Sequence, residues 1–197
     1  MALDDATRRE FLMTSLLLSL TAGEAATNSP AEARRLADGK TLVAYFSRSG
    51  NTRVVAGQVS RALRTDLFEI NPATPYPDDY FETVEQAKQE SDRGFEPPLK
   101  AKATDVASYA TVFLGFPIWG MTVPPVIRSF LAMHNLSGKT VIPFVTHGGY
   151  GLGDSLVVVT KHAPQARLVD GFSMQAPQER QTVTWVMEWL GAFKPTE

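Results

Sequence analysis

From Thr41 onward, short apolar runs alternate with longer segments of helical spacing, and this alternation is the strongest constraint on the fold. Thr41 to Phe46 is a short, mostly apolar run that includes the β-branched Thr41 and Val43, as expected of a parallel strand buried on both faces. Asn51 to Arg64 places Val54, Val55, Val59 and Leu63 on one side of a helix. Asp66 to Ile70 reads as a second strand, Asn71 to Asp79 as a loop with three prolines, and Tyr80 to Asp92 as a polar helix. Thr111 to Gly115 is a third strand, stopped by Phe116-Pro117. Pro124-Pro125 suits a helix first turn, with the helix running to about His134. Thr140 to Thr146 is the fourth strand, and Gly153 or Asp154 opens a helix to about His162, Asp154 being a good N-cap residue. Arg167 to Phe172 is the fifth strand. A closing amphipathic helix, Gln178 to Phe193, bears Val183, Val186, Met187 and Leu190. Five strands alternating with helices predict a doubly wound α/β fold around a five-stranded parallel sheet. A chain of 197 residues, 44% hydrophobic, can bury one such core.

In an open parallel sheet, ligands bind beyond the carboxyl ends of the strands, where the strand order reverses. The loops after strands one, three and four are the unusual ones. Ser47, Arg48, Ser49, Gly50, Asn51 and Thr52 lead from a buried strand into a helix. A helix start offers unpaired N–H groups and the positive end of a dipole, both suited to an anion. Ser47, Ser49 and Thr52 add hydroxyl donors. No lysine closes the loop, so it is not a Gly-Lys-Ser/Thr nucleoside triphosphate site, and a terminal monophosphate suits it better.

Pro117, Ile118, Trp119 and Gly120 follow the third strand. An indole at the mouth of a crossover needs cover, either from the core or from a flat aromatic ligand, and Gly120 permits a peptide flip. Thr146, His147, Gly148, Gly149, Tyr150 and Gly151 follow the fourth strand and run on to Leu152 and Gly153. Four glycines in six positions allow close backbone approach to a ligand, but not in the Gly-x-Gly-x-x-Gly spacing of a dinucleotide site. His147 either donates to that ligand or holds the loop.

Three segments, Tyr45 to Thr52, Phe113 to Trp119 and Thr146 to Gly153, carry a family pattern. They read Tyr-Phe-Ser-Arg-x-Gly-Asn-Thr, Phe-Leu-Gly-Phe-Pro-Ile-Trp and Thr-His-Gly-Gly-x-Gly-Leu-Gly. With Pro75-Tyr76-Pro77 and Gly138-Lys139-Thr140, the chain from Thr41 to about Phe172 resembles a short-chain flavodoxin-like family. The resemblance implies strand order 2-1-3-4-5 and an FMN cofactor. It implies phosphate on Ser47 to Thr52 and isoalloxazine between the Trp119 and Gly149 loops. Family members often carry a second Trp where this chain has Gly120, so Trp119 would cover the ring alone, with Tyr150 a further aromatic candidate.

Upstream, Thr7-Arg8-Arg9-Glu10-Phe11-Leu12 precedes an apolar stretch, Met13 to Leu20, and then small residues. This resembles a twin-arginine export signal. The expected organisation is a signal peptide at 1–26, a linker at 27–39 and one domain at 40–197, in a periplasmic or secreted protein. Without the first 26 residues, the chain's 19 basic and 21 acidic residues become 17 of each. That balance leaves no basic footprint for nucleic acid, and no apolar run approaches the roughly 18 residues of a membrane span. Absence of cysteine excludes thiol chemistry and disulfides, and no metal-ligand spacing or catalytic triad stands out. Tyr76 to Tyr80 reads as a lid or a proline-rich turn, His134 and His162 as helix-end caps, and Glu82, Glu85, Glu90 and Asp92 as a solvated helix face. The function expected is electron transfer to a redox partner protein or small acceptor. The alternatives are an NAD(P)H-dependent quinone or flavin reductase and a non-redox FMN-binding module.

Overall fold

The computed structural model describes residues 39–176 and 179–193. The expected export signal and nearly all of the expected linker fall outside the described residues. Strands β1 (Lys40–Tyr45), β2 (Asp66–Glu69), β3 (Tyr109–Pro117), β4 (Thr140–His147), β5 (Arg167–Leu168) and β6 (Phe172–Gln175) form one parallel sheet. Helices α1 (Asn51–Leu63), α2 (Tyr80–Asp92), α3 (Pro125–Met133), α4 (Ser155–His162) and α5 (Glu179–Gly191) alternate with the strands. The sheet order is β2-β1-β3-β4-β5, with β6 also paired to β4. This is the flavodoxin-like doubly wound arrangement that the sequence implied. It puts the reversal of strand order between β1 and β3. Among the described residues, no helix is long and apolar enough to cross a membrane.

The period of two along each strand divides the core into two layers. Leu42, Ala44 and Phe46 face one way with Val112, Leu114 and Phe116, under α3 residues Val126, Ile127 and Phe130 and under Val159 of α4. Val43, Tyr45, Phe113, Ile142 and Phe144 face the other, under α1 residues Val55, Ala56 and Val59 and α5 residues Val186 and Leu190. Two expected apolar stripes are narrower than the sequence suggests. Val54 is 51% exposed on α1, and Val183 and Met187 are 44% and 43% exposed on α5.

The fifth strand is not continuous, contrary to the Arg167 to Phe172 expectation. β5 ends at Leu168, and β6 resumes beside the same edge of β4 at Phe172. Val169 N–H donates to Val141 O at 3.1 Å and Ala176 N–H to His147 O at 2.9 Å, so odd-numbered residues of β4 present their polar groups to this edge. Pro143 is one of them and has no N–H to offer. The ladder breaks opposite it. Gly171 passes so near that a Cβ there would lie 1.9 Å from Pro143 O.

Candidate functional site

Loop Phe46–Asn51 ends in a helix whose first turn lacks a side-chain cap. Gly50 occupies the N-cap at φ 91°, and the first turn of α1 holds no acidic residue. The first helical bond is Val54 N–H to Gly50 O, so the amides of residues 51–53 have no acceptor within the helix. Gly50 N–H donates to Ser47 Oγ at 3.1 Å, and Asn51 Nδ2 donates to Ser49 Oγ at 3.2 Å. Both serine oxygens therefore act as acceptors inside the loop, which leaves their protons for an acceptor outside it.

Arg48 of this loop and Arg53 in the first turn of α1 are both committed elsewhere. Arg48 donates to Asp78 O at 2.7 Å and to Thr83 Oγ1 at 3.2 Å, with its guanidinium 5.8 Å from the Tyr80 ring centre. Arg53 pairs with Glu69 at 2.6 Å. The loop is thus a pocket of amides and hydroxyls, with its cations tied to neighbouring elements. Thr52, buried, bonds Thr146 Oγ1 at 2.8 Å and so ties this loop to the end of β4.

After β3, Trp119 and Thr122 exchange N–H···O bonds of 3.1 Å around Gly120 at φ 55° and Met121 at φ 67°. Two successive left-handed residues make a tight type I′ turn. Met121 lacks the freedom of glycine, and its conformation costs about 1–2 kcal/mol. Asp154 N–H donates to Met121 O at 3.0 Å and holds it there. A Cβ on Gly153 would lie 1.8 Å from that same oxygen, so only glycine permits the contact. The turn and the glycine-rich loop are one docked unit.

His147 Nδ1 accepts from Gly149 N–H at 3.1 Å, so the ring holds the loop, and a neutral imidazole carries its proton on Nε2. Gly149 and Gly151 are left-handed at φ 118° and 73°. Tyr150 points outward, 82% exposed. Ile118 N–H donates to Thr146 O at 2.9 Å and Pro117 registers with Thr146, which joins the second and third loops at their base.

Trp119 is half-buried. Phe46 and Tyr76 pack against it at 5.2 Å and 4.9 Å, both nearly perpendicular. The Tyr76 contact was legible only as a choice between lid and turn. Glu90 departs from the expected solvated face. It is 8% exposed and accepts from Tyr76 OH at 2.8 Å. His134 and His162 do bond helix-end carbonyls, at Phe130 and Val158.

A phosphate with a flat ring suits this donor set. Uncapped amides and serine hydroxyls meet a dianion, and a Cβ built on Gly120, Gly148 or Gly151 would meet no atom within 4 Å. Two buried hydroxyls at the seam between the turn and the glycine loop, Thr122 Oγ1 and Ser155 Oγ, lack a partner.

The family model described as Flavodoxin matches residues 40–191. A protein of Bacteroides eggerthii, described as a flavoprotein, is 34% identical; the match covers 78% of this chain and 97% of that one, with a TM-score of 0.67. A flavoprotein so described from Bacteroides uniformis is 32% identical over 76% of this chain and 98% of its own, also at 0.67. A Lactobacillus acidophilus flavoprotein, solved in complex with FMN, shares the fold at 19% identity, with coverages of 75% and 98% and a TM-score of 0.63. No curated protein matches the chain.

Proposed function

The chain belongs to the flavodoxin family, and from that membership we propose that it binds FMN and serves as an electron carrier, exported in folded form. One observation carries the reading. The first turn of α1 is uncapped and free of acidic residues beside two serine hydroxyls, next to the loops of Trp119 and Gly149. A similar protein was solved with FMN, which supports the same ligand here.

In this reading Ser47, Ser49 and the amides of residues 51–53 hold the phosphate, while Trp119 and the Gly148–Gly149 backbone flank the ring. FMN, when bound, supplies the redox chemistry, and the chain contributes binding, orientation and restricted access. Arg48 and Arg53 stay on their protein partners and act as struts that keep the loop open. The near-neutral charge after residue 26 favours docking that depends little on salt. Loading FMN before export suits a twin-arginine route, because a cofactor without covalent bonds must be seated in a folded chain.

Purification from the native host tests the cofactor: a yellow protein releasing one FMN is expected, and a colourless one overturns the reading. Stopped-flow mixing with NADPH separates carrier from reductase. Inertness to nicotinamide is expected, and rapid bleaching with quinone turnover would make the protein an enzyme. Arg8→Lys with Arg9→Lys should keep the protein in the cytoplasm; normal export of that variant would remove the twin-arginine assignment.

A further inference from the structure

Beneath Trp119 lies a polar arrangement that the phosphate and ring contacts leave unused. The Tyr76 phenol donates to Glu90 Oε2 at 2.8 Å, and Gln86 Nε2 donates to Glu90 Oε1 at 2.8 Å. A buried carboxylate is costly unless its oxygens are satisfied. Here each oxygen has its own neutral donor, supplied by the loop after β2 and by the preceding turn of α2. Glu90 is therefore fixed, and it fixes Tyr76.

The ring of Tyr76 carries that constraint onward. It stands 4.9 Å from the Trp119 ring at 82° and 6.0 Å from Phe46. Its loop is itself anchored. Pro72 bridges Leu99, Ala73 N–H donates to Pro98 O at 2.7 Å, and Lys100 N–H to Asn71 O at 2.8 Å. Burial, followed by the bond to Glu90 and its charge, raises the phenol's pKa well above the ordinary tyrosine value; the Val126 amide in the first turn of α3 and Arg128 pull the other way. The phenol thus stays a protonated donor between α2 and the start of α3, the helix that follows the Trp119–Thr122 turn. Pro124, the N-cap of α3, offers no side-chain cap of its own.

We propose that Tyr76, held by buried Glu90, is the positioning residue of the Trp119 turn and sets the face that this turn presents to the flavin ring. The proposal rests on the FMN reading for its ligand but not for its geometry. The Tyr76 ring meets Trp119 on the ring side and, at the end of β1, Phe46, but takes no part in the serine contacts of the phosphate side. The two sides can be separated by comparing FMN with riboflavin, which has the ring and no phosphate.

Tyr76→Phe keeps the aromatic ring and removes the hydroxyl. It is expected to weaken FMN and riboflavin by the same factor, about tenfold, leaving the ratio of their Kd values unchanged. Ser49→Ala should weaken FMN alone. In the flavin-free protein, amide hydrogen exchange in Tyr76→Phe should quicken across residues 119–126 and stay at the native rate across residues 47–54. Glu90→Gln should give the same pattern at smaller size. Unchanged exchange at 119–126, or equal acceleration in both segments, would overturn the proposal, since the second result describes general loosening. If the native chain takes up neither flavin while the exchange pattern holds, the FMN reading fails and the brace stands.

Discussion

At the amino end of the sheet, the buried Lys139 ammonium donates to Ala107 O at 3.1 Å and Tyr109 O at 2.7 Å, and Tyr109 OH donates to Asp66 at 2.7 Å. Gly138 N–H reaches Gln165 O and Arg167 N–H reaches Lys139 O, so the turns there close on one another. At the carboxyl end, the same strands open into a helix start with no cap, a strained turn and a loop with three left-handed glycines. One end spends its polar groups on the protein itself. The other holds its backbone rigidly, by Asp154 on Met121 and Thr52 on Thr146, yet leaves donors facing outward. The amino end is therefore closed on the protein, whereas the carboxyl end is rigid but open to a ligand. Amino-end substitutions should lower stability without changing ligand affinity, and carboxyl-end ones should change affinity.

The largest effect is expected at Gly153, where φ is +54° and a Cβ meets the Met121 carbonyl. Gly153→Ala should abolish FMN binding and cost about 3 kcal/mol in urea unfolding. Gly138 at the amino end is also left-handed, at φ +72°, but a Cβ there meets nothing within 4 Å. Gly138→Ala should cost only about 1 kcal/mol and leave FMN affinity alone. Equal behaviour of the two variants would break the comparison.

Lys139→Met sharpens it from the other side. Two backbone carbonyls lose a charged donor, so unfolding should ease by about 2 kcal/mol with FMN affinity unchanged; a weakened Kd would couple the ends. Ser49→Ala is smaller. Titration should show FMN weakened about tenfold, with stability within about 0.5 kcal/mol of native. A stability loss without a change in Kd would make Ser49 a structural cap.

The smallest effect is alkaline. The bond to Asp66, followed by burial, pushes the Tyr109 phenol up to about 12. Its folded pKa lies above the ordinary value of about 10, so the stability it lends is complete below that pH and is lost as pH rises through its raised pKa. Tyr109→Phe should flatten this part of the alkaline fall in urea midpoints, leaving the parts due to Tyr45 and Tyr76, whose phenols are also raised. An unchanged slope would remove Tyr109 from the amino-end network.

Much of this was legible in the residues. The runs at Thr41, Thr111 and Thr140 stand in the sheet within a residue or two of their expected limits, because buried parallel strands are apolar on both faces. The three loops announced themselves through serine, tryptophan and glycine at strand ends. The break after Leu168 was not legible, since it depends on which edge Pro143 presents its missing N–H to, and that parity appears only with the register. The bond from Arg48 to Asp78 was not legible either, because a partner thirty positions away leaves no local sign in the loop. Glu90 read as solvated for a similar reason: its helix is polar overall, and only the docking of the Tyr76 loop buries that one carboxylate.

If the carboxyl end holds a flavin by its phosphate, as proposed above, the phosphate itself should add affinity. Flavin-free protein titrated in parallel with FMN and riboflavin tests it most directly. Several charge-assisted bonds to the dianion should make FMN bind tighter by about a hundredfold or more, and the advantage should shrink below about pH 6 as the phosphate takes up its second proton. Equal affinity for the two, or no binding of either, would contradict the account.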